Sequence, residues 1–168
     1  LGFVVAVAAG LAAPVAGLVG LAPVAVLDHG PVRVAGLVVA LAGVAATTAA
    51  QVQMGASWRV GVDRDERTAL VTDGMFALVR NPIFSAMLVT AVGLTLMVGN
   101  VVSLVGLAAL VGALEVQVRL VEEPYLLTVH GEAYARYAAR VGRFVPGLGR
   151  LRRRPRVASP GSTAPSAS

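Results

Sequence analysis

The chain has no cysteine and no lysine, and only two histidines and nine acidic residues in 168. Without cysteine there is no disulfide framework, no thiolate nucleophile and no cysteine zinc site. All fourteen basic residues are arginine, giving a formal net charge of +5. Charged residues make up 14% of the chain against 57% hydrophobic, at a mean hydropathy of +0.78, which excludes an ordinary soluble domain of this length. Nine Pro and nineteen Gly fit membrane-spanning helices, whose neighbours offset what these residues cost an isolated helix. The first residue is Leu rather than Met, so the chain reads as a fragment or a processed product, and nothing follows about an upstream segment.

What the chain does contain is four apolar segments, which predict an all-α integral membrane protein. Residues 1–27 carry no charge and exceed the roughly 20 residues that cross a bilayer core. They lack the basic flank and cleavage site of a secretory signal, and so read as a span kinked near Pro14 or Pro23. The second span covers about 34–53, the third 82–98 and the fourth 101–118. Only Gly99 and Asn100 join the last two, which requires an antiparallel helical hairpin.

Arginine placement orients the spans. Arg59, Arg64, Arg67 and Arg80 lie between spans two and three, and Arg119, Arg136, Arg140, Arg143, Arg150, Arg152, Arg153, Arg154 and Arg156 follow span four, against Arg33 alone on the other side. The positive-inside rule makes segments 54–81 and 119–149 cytoplasmic, together with the N-terminus. This fits a multi-pass protein of the cell inner membrane whose two polar segments meet on the cytoplasmic face. Residues 1–149 are expected to form one membrane-embedded domain. Residues 150–168, basic and then rich in Pro, Ser and Ala, read as a disordered tail held weakly to anionic lipid rather than to nucleic acid.

Within the C-terminal segment, Glu115 and Arg119 are spaced for an i,i+4 pair. Pro124 suits the first turn of a new helix, with Glu122 and Glu123 near its positive end. Tyr134, Tyr137 and Val141 form an aromatic and apolar stripe, while Arg136, Arg140 and Arg143 fall on another face, as in a helix lying among lipid headgroups. In the middle segment, Asp73-Gly74 predicts a tight turn between extended pieces. Trp58 and Arg59 read as interfacial anchors, and Asp63 to Glu66, interleaved with arginine, as a solvated turn; no metal site is expected.

Arg80, Asn81 and Pro82 stand where the middle segment enters the third span. A bland role for Arg80 is a snorkelling anchor. The functional alternative pairs it with Glu122 and Glu123, which the hairpin returns to the same face.

The run "GMFALVRNPIFSAMLVTAVGLTL", followed by "EEPYLLTVHGEAYARYAARVGRFVP", resembles the membrane-embedded methyltransferases typified by isoprenylcysteine carboxyl methyltransferase and phosphatidylethanolamine N-methyltransferase. The resemblance spans about residues 57–146. Arg80 and Pro82 match the family's Arg-His-Pro-x-Tyr element, with Asn81 in place of the histidine and Phe84 in place of the tyrosine. Glu122 and Glu123 match its acidic pair, and Gly131, Tyr134 and Tyr137 its later Gly-x-x-Tyr-x-x-Tyr stretch. The resemblance implies S-adenosylmethionine as methyl donor, bound in a cytoplasmic pocket closed by a C-terminal amphipathic helix, and a lipid-like acceptor entering from the membrane. It further implies cofactor contacts from Arg80, Asn81, Pro82, Phe84, Glu122, Glu123, His130, Tyr134 and Tyr137, with Arg80 and Glu123 catalytic. Asn81 cannot titrate near neutrality and Phe84 lacks a hydroxyl, so roles needing an imidazole proton or a phenol are lost. A nicotinamide-dependent reductase of related fold and a non-enzymatic scaffold remain alternatives at this stage. Acceptor identity and oligomeric state stay open.

Overall fold

The computed structural model describes residues 2–54 and 70–151, and those residues are helical with no strand. The helices are α1 (Gly2–Leu18), α2 (Gly30–Met54), α3 (Met75–Leu78), α4 (Pro82–Val98), α5 (Val101–Gln117) and α6 (Glu123–Arg140). Trp58, Arg59, residues 63–67 and the tail from 152 lie outside the described residues.

Among the described residues, α2 and the stretch Val101–Arg140, which runs continuously for 40 residues, are long and apolar enough to cross a membrane. Helices α1 and α4 are equally apolar but have 17 residues each, below the roughly 20 that a bilayer core asks for. α1 stops at Leu18 rather than continuing to Leu27, because Gly20 turns the chain at φ +100°. Pro124 does not break the long stretch. A π-helical turn, Val118–Glu122, carries α5 into α6, and Pro124 stands at the start of α6 directly after it, where the chain is already wound off the regular i to i−4 register.

Small residues set the packing. Gly2 faces Ala113, Ala9 faces Gly106 and Ala13 meets Asn100, so α1 runs antiparallel to α5. Gly36 and Ala40 of α2 face Gly93 of α4 so closely that a Cβ on Gly36 would sit 2.7 Å from the Gly93 carbonyl. Such approach gives helices dispersion contact where lipid offers no hydrophobic drive. The α4–α5 hairpin turns at Gly99, φ +68°, and Asn100 caps α5 by accepting from the Ser103 N–H at 3.0 Å. The Asn100 amide also donates to the Ala13 carbonyl at 2.7 Å. These pairings bring the start of α1, the end of α2, the start of α4 and the end of α5 to one end of the bundle.

At that end Asp73-Gly74 opens a helical turn, not a hairpin. Phe76 N donates to Asp73 O at 3.0 Å and Ala77 N to Gly74 O at 3.1 Å, while Met75 N donates to Gln53 Oε1 at 2.7 Å and docks α3 on the end of α2.

Candidate active site

Arg80 is delivered by the three residues, 79–81, that join α3 to α4. Val79 is extended, at φ −139° and ψ 149°, and bridges Gly142 in parallel. Arg80 N donates to Gly142 O at 2.8 Å and Asn81 N to Arg143 O at 3.1 Å. Asn81 then precedes α4, and buried Pro82 opens it. The Arg80 side chain is thereby turned under the residues that follow α6, with 1% of its surface exposed. It is no snorkelling anchor.

Glu123 arrives from the opposite side, at the junction of the π turn and α6. Successive helical residues point about 100° apart, so only one of the acidic pair faces inward. Arg80 Nη2 donates to Glu123 Oε1 at 2.7 Å. Arg143 grips the same carboxylate with two prongs, Nε to Oε1 at 2.8 Å and Nη2 to Oε2 at 3.0 Å. Arg143 Nη1 reaches Glu115 Oε2 at 3.2 Å, and Glu115 also pairs with Arg119. Arg80 further donates from Nη1 to Ala138 O at 3.3 Å and from Nη2 to Gly149 O at 2.8 Å, leaving its buried Nε without a partner among the described residues.

Arg143 corrects an expectation. Instead of facing lipid headgroups with Arg136 and Arg140, which are exposed, it is 6% exposed and turned inward. Helix α6 ends at Arg140, so residue 143 no longer follows the helical face, and a buried carboxylate offsets its desolvation. Sequence reasoning missed this role; the one local signal is Gly142, which marks a break in helical geometry just before it.

Glu122 is half-exposed and makes no ion pair among the described residues. Burial, and then the Glu123 charge, raise its carboxyl above the ordinary 4.5. Tyr134 and Tyr137 are buried and meet edge-to-face with ring centroids 6.1 Å apart. Burial pushes both phenols up to about 12, against the opposing pull of Arg80. Tyr137 donates to the Phe76 carbonyl at 2.6 Å, tying α6 to α3. The hydrogen bond to Glu123 raises Arg143 further.

Of the residues singled out in the sequence, Arg80, Asn81, Pro82, Glu123, Tyr134 and Tyr137 come together here. Asn81 Nδ2 donates to Arg143 O at 3.3 Å. Glu122 borders the cluster. Phe84 is half-buried one turn into α4. His130 is half-buried and precedes Gly131, whose φ of 50° and ψ of −126° split α6 into two helical pieces; it takes no part in the ion-pair cluster.

Counted as formal charges, Arg80, Arg143 and Glu123 leave one buried positive charge in excess, which Glu115 offsets only from a third-exposed position (34%). A cationic excess with an unpartnered guanidinium N–H suits an anionic group on a ligand.

Residues 32–133 match the model of the phospholipid methyltransferase family, more than half of the chain. Over 87 residues the chain is 33% identical to protein-S-isoprenylcysteine O-methyltransferase B of Arabidopsis thaliana, covering 52% of this chain and 44% of that protein. Over 101 residues it is 32% identical to protein-S-isoprenylcysteine O-methyltransferase of Schizosaccharomyces pombe, covering 59% and 43%. A second Arabidopsis thaliana protein, protein-S-isoprenylcysteine O-methyltransferase A, is 32% identical over 113 residues, covering 66% and 57%. The chain thus spans about half the length of the curated relatives it matches.

Proposed function

The chain belongs to the phospholipid methyltransferase family, and from that premise we propose that it transfers a methyl group from S-adenosylmethionine to a membrane-soluble, lipid-like acceptor. Residues 1–149 act as one membrane-embedded domain. All four apolar helices cross or enter the inner membrane, and the Arg80 cluster faces the cytoplasm.

The residues at the cluster suit this cofactor. Its carboxylate matches the excess positive charge and the unpartnered Nε of Arg80. Its ammonium or ribosyl hydroxyls match Glu122, a carboxylate not committed to an arginine among the described residues. Asn81, Pro82, Phe84, His130, Tyr134 and Tyr137 complete the binding wall. When bound, the sulfonium supplies an electrophilic methyl group.

The observation that carries the choice of acceptor is the state of Glu123. Both of its oxygens accept from buried arginines, so it aims Arg80 and is not free to take a proton. An acceptor that is already an anion needs no base, only alignment with the methyl group. A carboxylate acceptor fits, in line with the O-methyltransferase names of the curated relatives. Arg80 is the catalytic residue proper, and Glu123 positions it.

Calorimetric titration of S-adenosylhomocysteine into purified protein in detergent tests this. Saturable binding is expected for the wild type and is lost in Arg80→Ala and weakened in Glu122→Gln. A folded wild type that binds nothing would sink the methyltransferase assignment.

A further inference from the structure

Residues 141–151 divide into two unlike halves. The first is pinned to the start of α4: besides the backbone bonds from Arg80 and Asn81, Ser85 Oγ donates to Phe144 O at 2.8 Å. The second half, residues 145–150, is exposed. It doubles back through bonds from Arg143 N to Leu148 O at 2.7 Å and from Leu148 N to Val145 O at 3.0 Å. It turns at Gly147, φ +80°, and Gly149, φ +72°, both left-handed. Leu151 N then returns to Ala138 O at 2.9 Å, and Gly149 O accepts from Arg80 Nη2 at 2.8 Å.

Here an exposed glycine turn supplies a neutral carbonyl to a buried cation. The neighbouring Nε–H of the same guanidinium has no partner among the described residues. The Nε and Nη2 donors form one edge of the planar fork, which binds a carboxylate through two parallel charge-assisted bonds, each roughly twice as strong as a neutral one. A single peptide carbonyl uses that edge only in part. It also leaves the positive excess of Arg80, Arg143 and Glu123 offset only by the third-exposed Glu115.

We propose that residues 145–151 are a displaceable strap, whose Gly149 carbonyl holds the place of a ligand carboxylate on Arg80, so that a carboxylate-bearing ligand binds by releasing the strap. That the ligand is the cofactor rests on the assignment made above; the strap itself does not. The pinned residues 142–144 stay in place as the hinge, and the left-handed glycines let residues 145–151 leave without disturbing the grip of Arg143 on Glu123.

The test uses the full chain in detergent, with calorimetry and with hydrogen exchange followed at the Arg143 and Leu151 amides, whose bonds to Leu148 O and Ala138 O tie the strap to the rest of the fold. Three probes are compared: acetate against chloride at equal ionic strength, S-adenosylhomocysteine, and 5′-methylthioadenosine, which keeps the adenosyl thioether without the carboxylate. Gly147→Ala strains the strap, since its Cβ would carry a φ of +80° yet meet only Arg150 Nη2 at 3.5 Å. Acetate is expected to speed exchange at both amides in the wild type. Gly147→Ala is expected to tighten S-adenosylhomocysteine up to about tenfold, equivalent to ~1.4 kcal/mol of left-handed strain, and to leave 5′-methylthioadenosine unchanged. Gly149→Ala, whose Cβ would press on the Arg143 Cβ at 3.1 Å, is expected to act in the same direction. Exchange in acetate no faster than in chloride overturns the strap. So does a variant that weakens S-adenosylhomocysteine or shifts both nucleosides alike. Acetate release of the strap in a protein that binds neither nucleoside supports the strap and removes the cofactor assignment.

Discussion

Glu123→Gln removes the one carboxylate held between Arg80 and Arg143 while keeping its volume. In the wild type three donors converge on it, at 2.7, 2.8 and 3.0 Å. Glutamine offers one carbonyl oxygen for two arginines, and its amide NH₂ faces an arginine donor wherever the second oxygen stood. Arg80 and Arg143, whose side chains are 1% and 8% exposed, then share no negative partner between them. Removing one partner of a buried pair costs ~3–5 kcal/mol, a large part of the total stability of a domain. Glu115 still touches Arg143 at 3.2 Å, which places the expected loss near the lower figure. Glu122→Gln is the control, with the opposite sign. Burial raises the Glu122 pKa, so ionising it costs the folded state more than the unfolded one. The penalty is absent at low pH and grows as pH rises from 4.5 through the raised value, so Glu122→Gln gains on the wild type across that window. Denaturant titration in detergent, followed by circular dichroism, measures both. Equal losses in the two variants, or less than about 1 kcal/mol for Glu123→Gln, would refute the buried triad as the centre of this end of the fold.

The two buried tyrosines should stay protonated well past the ordinary 10.0 and titrate near 12, so stability falls as pH rises through that interval, where only the unfolded phenols ionise; absorbance of tyrosinate against pH reads both effects. Tyr137→Phe leaves the buried Phe76 carbonyl without its 2.6 Å donor and should cost about 1–3 kcal/mol. Gly93→Ala should cost about 1–3 kcal/mol, because its Cβ would sit 2.6 Å from the Gly36 carbonyl, whereas Gly112→Ala, with nothing within 4 Å, should gain about 0.5–1 kcal/mol. Thermal denaturation of the two glycine variants side by side decides whether close backbone approach is what holds α2 to α4.

The ends of α4 and the hairpin after it were readable because proline and the Gly99-Asn100 pair punctuate them with fixed backbone chemistry. The meeting of Arg80 with one of the acidic pair followed from topology alone, since a helical hairpin must return its second helix to the entry face of its first. Which acid faces Arg80 did not follow. That choice belongs to the π turn at Val118–Glu122, a register shift that leaves no mark in composition. The same limit hid Arg143. Its spacing from Arg136 and Arg140 suggested a shared helical face, but the helix ends before it, and the bonds that turn it inward are made largely by backbone atoms of residues 79–81 and 142–148.

Those backbone bonds also explain why the buried ion-pair cluster lies at one end of the bundle. A helix in lipid must satisfy its own N–H and C=O groups, so a membrane span has no spare carbonyl to offer a guanidinium. The last four carbonyls of a helix are free. Ala138 is among them because α6 stops at Arg140, and its oxygen accepts both Arg80 Nη1 and the returning Leu151 N–H. Gly149 is free because its left-handed turn makes no ladder. Arg80 therefore depends on the end of α6 as much as on Glu123. Extending α6 past Arg140 would consume the Ala138 carbonyl and draw Arg143 off its carboxylate, leaving Arg80 to Glu123 without the helix-end carbonyl that now shares it.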